Sequence, residues 1–285
     1  MTPGPSRFSS GRAENFATGL GEWVCGLSDY QYPRGPVRTR LVVPNTVASV
    51  NFGFGHPVRT LSMAGDREYS ASPSRVDLPA TVAVRARHEG GVHGVVVRMR
   101  PMGAYQLFGI PMSEWRHPDF DPADLLPRSL RDLPRRLEDA ATGDRAGLLE
   151  AALLRLLRDL RAPRVAPEVM TAWRQLHRTR GRIDVGRLAA DALCSTRQLE
   201  RKFKEQIGHP PGAIARTLRF TRALQLQRQG IPLGQVAIRA GFHDQAHYNH
   251  VFKKLTGVTP TQLPATGLID WQSEPGATEK ASAPV

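Results

Sequence analysis

The spacing of apolar and polar residues divides this 285-residue chain into a strand-like part followed by a helical part. Between residues 16 and 110, short runs of β-branched and apolar residues alternate with Pro, Gly and Asn. The clearest runs are 40–43, 47–52, 81–85 and 94–99. Short strands at this close spacing are typical of a small β-sandwich or barrel. We therefore predict a β-rich domain over residues 16–110.

From residue 111 onward the apolar residues recur at the three- and four-residue spacing of amphipathic helices, and residues 122–160 are predicted to be helical. One face of this segment is continuously apolar; its members are Leu148, Leu149, Ala152, Leu153, Leu156, Leu157 and Leu160. We expect this face to pack against the β-rich domain, and the alternative is a homodimer formed through residues 16–160. Two prolines over residues 161–167 indicate a linker, so residues 111–170 form a helical connector.

The two ends of the chain are rich in Pro, Gly, Ser or Ala, and we predict that residues 1–15 and 265–285 are disordered. No run of about 18 apolar residues occurs, and the N-terminus lacks the apolar segment of a secretory signal. Cys25 and Cys194 lie far apart and form no CxxC pair, which fits a reducing compartment. We therefore expect a cytoplasmic protein that makes no contact with membranes.

A repeat lies within the helical segment 171–264, and its Phe-Lys pairs are 49 residues apart. Each copy contains an apolar residue followed by alanine, then a capping residue, then an i,i+4 apolar pair followed by lysine. The corresponding residues are Leu188, Ala189, Ser195, Leu199, Phe203 and Lys204, and then Val236, Ala237, Asp244, Tyr248, Phe252 and Lys253. Ser195 and Asp244 are expected to cap second helices, and Gly241 suits a turn with positive φ. Each copy is therefore predicted to be a helix, a tight turn and a second helix, with one long helix over residues 213–229 between them.

Positive charge is concentrated in the same part of the chain. Residues 171–263 contain 16 Lys or Arg and 5 Asp or Glu, a net charge of +11, whereas the whole chain carries +13. A basic segment of domain size is typical of proteins that bind polyanions. An anionic membrane is the alternative ligand, but it would favour one amphipathic helix with large exposed apolar residues. The division into several short helices favours nucleic acid.

The repeat resembles the DNA-binding domain of the AraC/XylS family of bacterial transcription regulators, over residues 183–263. The matching residues are Leu188, Ala189, Ser195, Leu199 through Lys204, Gly208, Ile231, Val236, Ala237, Gly241, Phe242, Phe252, Lys253, Thr256, Gly257 and Pro260. The resemblance implies two helix-turn-helix units joined by a linker helix, placed about one DNA turn apart. It also implies double-stranded promoter DNA as a partner, RNA polymerase as a further one, and association with the nucleoid.

Residues 95–111 are similar to the N-terminal domain of one actinobacterial-type branch of the same family. This shorter similarity implies a cupin-like β domain that serves as a sensor or a dimerisation element, with a small-molecule effector of unspecified identity. The predicted fold class is therefore α+β: a β-rich cupin-like domain over residues 16–110, the helical connector, and an all-α domain over residues 171–264.

The family's base-contacting positions fall on the exposed face of each second helix. They are Arg197, Glu200 and Arg201 in the first unit, and Gln245, Ala246, Asn249 and His250 in the second. Arg can donate two hydrogen bonds to guanine, Gln and Asn can bracket adenine, and Glu can accept from cytosine. The second set is less basic, so the second unit either contacts bases or mainly holds the backbone. Glu200 has the alternative of pairing with Arg197 or Lys204 on its own helix.

Lysines beside these positions are expected to contact phosphates rather than bases. They are Lys202, Lys204, Lys253 and Lys254. An architectural protein that binds DNA without sequence preference is the alternative to a sequence-specific regulator.

The β-rich segment shows no catalytic or cofactor-binding motif. His88, Glu89 and His93 flank the pair Gly90-Gly91, which indicates a turn rather than a metal site. We therefore predict no enzyme activity, no metal and no cofactor, against the alternative of a metal-dependent β-barrel enzyme. Six aromatic residues either form the core or line a ligand pocket, so no ligand-binding residue is assigned; they are Trp23, Tyr30, Tyr32, Phe52, Phe54 and Tyr69.

Overall fold

The structure is a computed structural model that describes residues 7–12, 19–63, 68–69, 72–116, 121–159, 164–263 and 268–270. Within these residues the fold is mixed α+β, with an N-terminal β region and a C-terminal helical region, as predicted. The strands are β1 (Arg7–Arg12), β2 (Val24–Tyr32), β3 (Arg38–Val42), β4 (Ala48–Gly55), β5 (Arg59–Ser62), β6 (Glu68–Tyr69), β7 (Arg75–Asp77), β8 (Val84–His88), β9 (Val92–Met99) and β10 (Leu268–Asp270). The helices are α1 (Pro101–Phe108), α2 (Leu133–Asp139), α3 (Arg145–Asp159), α4 (Pro167–Arg178), α5 (Val185–Asp191), α6 (Thr196–Gln206), α7 (Pro211–Arg228), α8 (Leu233–Ala240) and α9 (Gln245–Thr256).

The described strands form two five-stranded sheets, with the orders β1-β2-β9-β4-β7 and β10-β3-β8-β5-β6. All neighbours are antiparallel except β10 and β3. In the first sheet, Val50 lies opposite Val97 and Phe52 lies opposite Val95, so apolar side chains share one face of the sheet. Helices α2 and α3 pack on this face and bury it, as we expected for the apolar face of the connector.

A buried ion pair fixes the connector to the first sheet. Arg145, at the start of α3, lies 3.2 Å through Nη1 from Oδ1 of Asp29 on β2, and both side chains are at most 5 % exposed. The N–H of Gly143 donates to the other oxygen of Asp29 at 2.6 Å. Arg145 Nε also donates to the carbonyl of Leu137 at 2.8 Å, which ties the end of α2 to the start of α3. The charges are therefore fully hydrogen-bonded, the condition under which a buried pair is tolerated.

The connector is less continuously helical than the apolar pattern predicts. Residues 122–125 and 128–130 form 3-10 turns, and α2 and α3 are separate helices. Leu126 and Pro127 lie between the two turns with extended backbones, so the first turn ends there and the second begins after Pro127. Over the described residues 111–116 and 121–132 the chain therefore forms short turns, and the next regular helix begins only at Leu133.

Three elements lie where composition predicts something else. Strand β1 pairs with β2, and strand β10 pairs with β3, although both lie within ends predicted to be disordered. Edge strands are held by backbone hydrogen bonds, so a segment without an apolar pattern can still join a sheet. Helix α1 follows β9 directly, with Pro101 in its first turn, at the end of the predicted β-rich segment. The remaining residues of both chain ends lie outside the described ranges.

Two hydrophobic cores connect the β region to the helical region. The first runs from the sheet through α1, α3 and α4 into α5, α6 and the start of α7. The second joins Leu41, Val43 and Ala83 of the β region to α8, α9 and the rest of α7. The predicted core aromatics Trp23, Phe52 and Phe54 belong to the first of these cores. Each of the two helical repeats therefore packs against a different part of the β region.

We expect Arg145→Met to lower the free energy of unfolding by about 3–5 kcal/mol, because it leaves the Asp29 carboxylate buried without its charge partner. Urea unfolding measures this loss. Arg136→Met is the matched control: its ion pair with Asp132 has a distance of 3.8 Å and side chains 45 % and 52 % exposed, so its loss should stay below about 1 kcal/mol. Adding Asp29→Asn to Arg145→Met should recover part of the loss, and equal losses for Arg145→Met and its control would contradict the analysis.

Candidate nucleic-acid interface

The first repeat folds as a helix-turn-helix unit with both helices capped by side chains. Asp184 Oδ1 accepts hydrogen bonds from the N–H groups of Gly186 and Arg187, at 2.7 and 3.3 Å, at the start of α5. Ser195 Oγ accepts from the N–H of Gln198 at 3.2 Å at the start of α6, which confirms Ser195 as an N-cap. On α6, Leu199 and Phe203 are fully buried, so the opposite face of the helix is the one left in solvent.

The second repeat also folds as two helices and a turn, but only its second helix is capped by a side chain, since α8 begins after Pro232. Asp244 Oδ1 accepts from the N–H of His247 at 2.7 Å, which makes Asp244 the N-cap of α9, as predicted. Gly241 has a φ of 87° in the preceding turn, again as predicted. Tyr248 and Phe252 are fully buried, and burial raises the pKa of the Tyr248 hydroxyl well above its usual range. That hydroxyl donates to Gln227 Oε1 on α7 at 3.1 Å, which ties α9 to the helix between the two units.

Helix α7 is the linker helix between the units, and it spans Pro211–Arg228 against the predicted 213–229. Ile214 and Ala215 belong to the core of the first unit, while Phe220 and Leu224 belong to the core of the second. Because one continuous helix contributes to both cores, the two units cannot change their separation without unpacking one of them.

The predicted base-contacting residues of α6 lie together on its exposed face. Arg197, Glu200 and Arg201 are all exposed. Arg201 Nη1 lies 3.9 Å from Glu205 Oε2, and its side chain is 68 % exposed. A surface ion pair of this kind contributes about 0–1 kcal/mol, less than the about 1–3 kcal/mol of a bidentate Arg–guanine contact, so Glu205 leaves Arg201 available. Among the described residues, no ion pair joins Glu200 to Arg197 or Lys204.

On α9 the predicted set is only partly exposed. Gln245, Ala246 and His250 are exposed, whereas Asn249 is half-buried. The Oδ1 atom of Asn249 is buried and has no hydrogen-bond partner among the described residues. A bidentate contact with adenine needs both atoms of the amide, so Asn249 would have to rotate its side chain before it could make one.

The four predicted phosphate-contacting lysines differ in their surroundings. Lys204, Lys253 and Lys254 are exposed. Lys202 forms an ion pair with Glu168 on α4, and both side chains are less than a quarter exposed. The hydrogen bond from the Lys202 ammonium holds the pKa of the Glu168 carboxyl below its usual range. Lys202 therefore joins α6 to α4, and its charge already has a partner within the protein.

The β region contacts both second helices at their C-terminal ends. The N–H of Met112 donates to the carbonyl of Glu205 at 2.7 Å, and the N–H of Ala83 donates to the carbonyl of Leu255 at 2.6 Å. The Tyr105 hydroxyl donates to Glu205 Oε1 at 3.1 Å. The last carbonyls of a helix have no partner within it, so these donors satisfy groups that would otherwise need water. Local sequence patterns gave no signal for these contacts, because each joins residues more than 90 positions apart.

Helix α6 also forms one wall of an open groove beside the β region. Ser113, from the segment that follows α1, lines this groove opposite the exposed face of α6 that carries Arg197, Glu200 and Arg201. The predicted base-contacting face therefore borders the segment that follows α1.

The described ranges contain neither a membrane-spanning helix nor a cluster of metal ligands. No helix there has the length and apolar character needed to cross a membrane. Nor do the described His, Cys, Asp and Glu residues gather into a group of three or more that could hold a metal ion. His88, Gly90 and Gly91 form the turn between β8 and β9, and the Gly90 N–H donates to His88 Nδ1 at 3.2 Å.

Comparison with known proteins agrees with this geometry. Residues 188–265 match a family model described as a helix-turn-helix domain. The chain is 32 % identical over 85 residues to the HTH-type transcriptional regulator MtrA of Neisseria gonorrhoeae, covering 30 % of this chain and 28 % of that protein. It is 36 % identical over 70 residues to the HTH-type transcriptional activator RhaR of Enterobacter sp. (strain 638), covering 24 % of this chain and 25 % of that protein.

Among solved structures, the chain is similar to ToxT from Vibrio cholerae, with 11 % identity, a TM-score of 0.42, and coverage of 83 % of this chain and 97 % of ToxT. The sequence matches to MtrA and RhaR span about a quarter of the length of those relatives. What the chain shares with them is the helical repeat. The C-terminal repeat is thus a helix-turn-helix domain of the AraC type, the domain found in regulators of the AraC/XylS family.

Proposed function

We propose that this chain is a sequence-specific DNA-binding regulator of transcription, whose helices α6 and α9 enter successive segments of the major groove. The observation that carries the proposal is the pair of side-chain-capped helices with exposed polar faces, joined by one linker helix that contributes to both cores. Two helices held in this way suit half-sites about one DNA turn apart. The names of MtrA and RhaR, a transcriptional regulator and a transcriptional activator, support the same function.

We propose that the first unit contributes more to base selection than the second. In the first unit, Arg197 and Arg201 are exposed cations that can each contact guanine, and Glu200 can accept from cytosine. In the second unit, Gln245 and His250 are exposed, while the inward amide oxygen of Asn249 weakens its adenine contact. We assign most base selection to α6. Lys204, Lys253 and Lys254 are assigned to phosphates, and Lys202 is removed from that set because Glu168 already neutralises it.

We propose that the β region controls the affinity of the DNA-binding domain for DNA. We also propose that the protein acts in the cytoplasm. Donors of the β region hold the C-terminal ends of both α6 and α9, and the Ser113 segment borders the base-contacting face of α6. Two arrangements are relevant, one in which the β region contacts α6 and α9 and one in which it does not. An effector or a second subunit that binds the β region would alter DNA affinity only if it bound these two arrangements with different affinities. RNA polymerase is the partner through which a DNA-bound regulator of this type would act.

A selection from random duplexes, followed by sequencing, tests the proposal. The full chain should enrich one preferred sequence with two parts about one DNA turn apart. Retention of duplexes without any preferred sequence would instead identify an architectural DNA-binding protein. Failure to retain duplex DNA at low salt would exclude both.

On the selected duplex, Arg201→Ala should weaken binding by about 1–3 kcal/mol and relax the preference at one base pair, because a guanine contact is lost. Equilibrium binding to the selected duplex and to single-base variants measures both effects. Arg187→Ala is the matched control, since Arg187 is an equally exposed arginine of the same unit that pairs with Asp191 at 2.9 Å. If Arg201→Ala weakened binding to every duplex by the same factor, its role would be electrostatic only.

The lysines give a second prediction, based on the salt dependence of binding. Lys253→Gln should reduce the slope of log affinity against log salt concentration by about 0.9, because one phosphate contact is lost. Lys202→Gln should leave this slope unchanged and lower the midpoint of thermal unfolding, because it breaks the ion pair with Glu168. A reduced slope for Lys202→Gln would return that residue to the phosphate-contacting set.

A further inference from the structure

Six arginines lie in the space between the two helix-turn-helix units, and none belongs to the predicted base-contacting or phosphate-contacting sets. Two lie in the turn between α4 and α5, three lie on α7 at a spacing of three residues, and one lies near the end of α8. They are Arg180, Arg182, Arg216, Arg219, Arg222 and Arg239. We name this group the central arginine cluster.

Contacts place part of the cluster at the turn that starts α9. Arg219 Nη1 donates to the carbonyl of Gly241 at 3.3 Å, and the Arg219 guanidinium lies 5.7 Å from the ring centroid of Phe242. Arg182 packs on the same turn, since a Cβ added to Gly241 would lie 2.6 Å from Arg182 Cγ. Arg182 itself is two residues before Asp184, the N-cap of α5. The cluster therefore joins the start of α5 in the first unit to the start of α9 in the second.

The cluster has no negative partner among the described residues. None of its six guanidinium groups forms an ion pair with a carboxylate there. Within the part of the chain that the structure describes, the buried Nε atoms of Arg219 and Arg222 also have no hydrogen-bond partner. Arg239 is bonded to the neutral amide of Gln235 at 3.0 Å. Elsewhere in the same domain, Arg187 and Arg201 each lie within ion-pair distance of a carboxylate.

The like charges of the cluster are close enough to disfavour one another. Burial lowers the pKa of the Arg222 guanidinium, and the charges of Arg180, Arg182 and Arg239 lower it further. Burial and the charge of Arg216 have the same effect on the pKa of Arg219. Grouping six cations without counter-charges destabilises the free protein, and a polyanion bound at this surface would remove that repulsion.

The position of the cluster indicates which polyanion would bind. If α6 and α9 occupy successive major-groove segments, the intervening minor groove and its two phosphate backbones face the protein between the units. The starts of helix-turn-helix helices are also the parts that approach the backbone. We propose that the central arginine cluster binds the phosphates that flank this intervening minor groove. This inference rests on the proposed function. It adds a third contact with DNA, which lies between the contacts made by α6 and α9.

The test removes two charges from the exposed part of the cluster in the full chain. In the Arg216→Gln/Arg239→Gln variant both residues are exposed, so packing should be retained. The thermal midpoint should be equal or higher, because two like charges are removed from the cluster. On the selected duplex, the slope of log affinity against log salt should fall by about 1.8, for two lost phosphate contacts. The loss of affinity between about 50 and about 200 mM salt should then be about tenfold smaller than in the unsubstituted chain.

A matched control removes the same charge from another part of the protein. Arg135→Gln/Arg155→Gln changes two exposed arginines of α2 and α3, and its slope should equal that of the unsubstituted chain. A fall in slope for both variants would show a general effect of net charge and would overturn the inference. If Arg216→Gln/Arg239→Gln failed to fold, Arg180→Gln/Arg182→Gln provides the same test from the α4–α5 turn.

Neutral methylphosphonate linkages locate the contact on the DNA. Placed across the intervening minor groove, they should weaken binding of the unsubstituted chain and have little effect on Arg216→Gln/Arg239→Gln. Equal weakening of both proteins would overturn the inference while leaving sequence-specific binding intact. Stabilisation of the unsubstituted chain by free pyrophosphate, combined with no effect of the methylphosphonates, would instead identify a small-anion site and also overturn it. If the unsubstituted chain selected no duplex, the proposed function would fail and this inference would fail with it.

Discussion

The structure depends above all on the hydrophobic core that continues from the first β-sheet into the first helix-turn-helix unit. Val97 of the sheet, Leu153 of α3, Trp173 of α4 and Phe203 of α6 all belong to this one core. A core at protein packing density transmits displacement, because its side chains have no free volume into which they can move. Helix α6 is therefore held by the β region through packing as well as through the hydrogen bonds to Glu205.

The second unit is held differently. Among the described residues, the buried part of its core contains three residues of the β region, Leu41, Val43 and Ala83, with Met63 and Val82 packed against it, and its other members come from residues 220–263. It shares α7 with the first unit and one backbone hydrogen bond, from Ala83 to Leu255, with the β region. Local stability follows the amount of buried apolar contact, so the second unit should separate from the β region at a lower free-energy cost than the first. This asymmetry matches the more limited set of base contacts assigned to α9.

The sequence predicted those features that depend on neighbours along the chain. The caps Ser195 and Asp244, the buried pairs on α6 and α9, and the linker helix all follow from local propensity and periodicity, and all are present. The sequence could not show that Lys202 pairs with Glu168 or that the Asn249 oxygen lies inside, because these depend on how separate helices cross. The sequence did not predict strands β1 and β10 for a related reason. Each is a strand because its backbone pairs with a strand that is distant in the sequence or on the far side of a turn.

Two glycines illustrate how one residue can satisfy local and long-range requirements at once. Gly208 and Gly257 follow α6 and α9 with φ values of 88° and 77°, a conformation that favours glycine at helix C-termini. Both also contact the β region: a Cβ at Gly208 would lie 2.9 Å from Leu78 Cδ2, and one at Gly257 would lie 2.8 Å from Met63 Cε. The glycine that follows each of these two helices therefore also permits the close approach of the β region. Both helices therefore end in contact with the same β region.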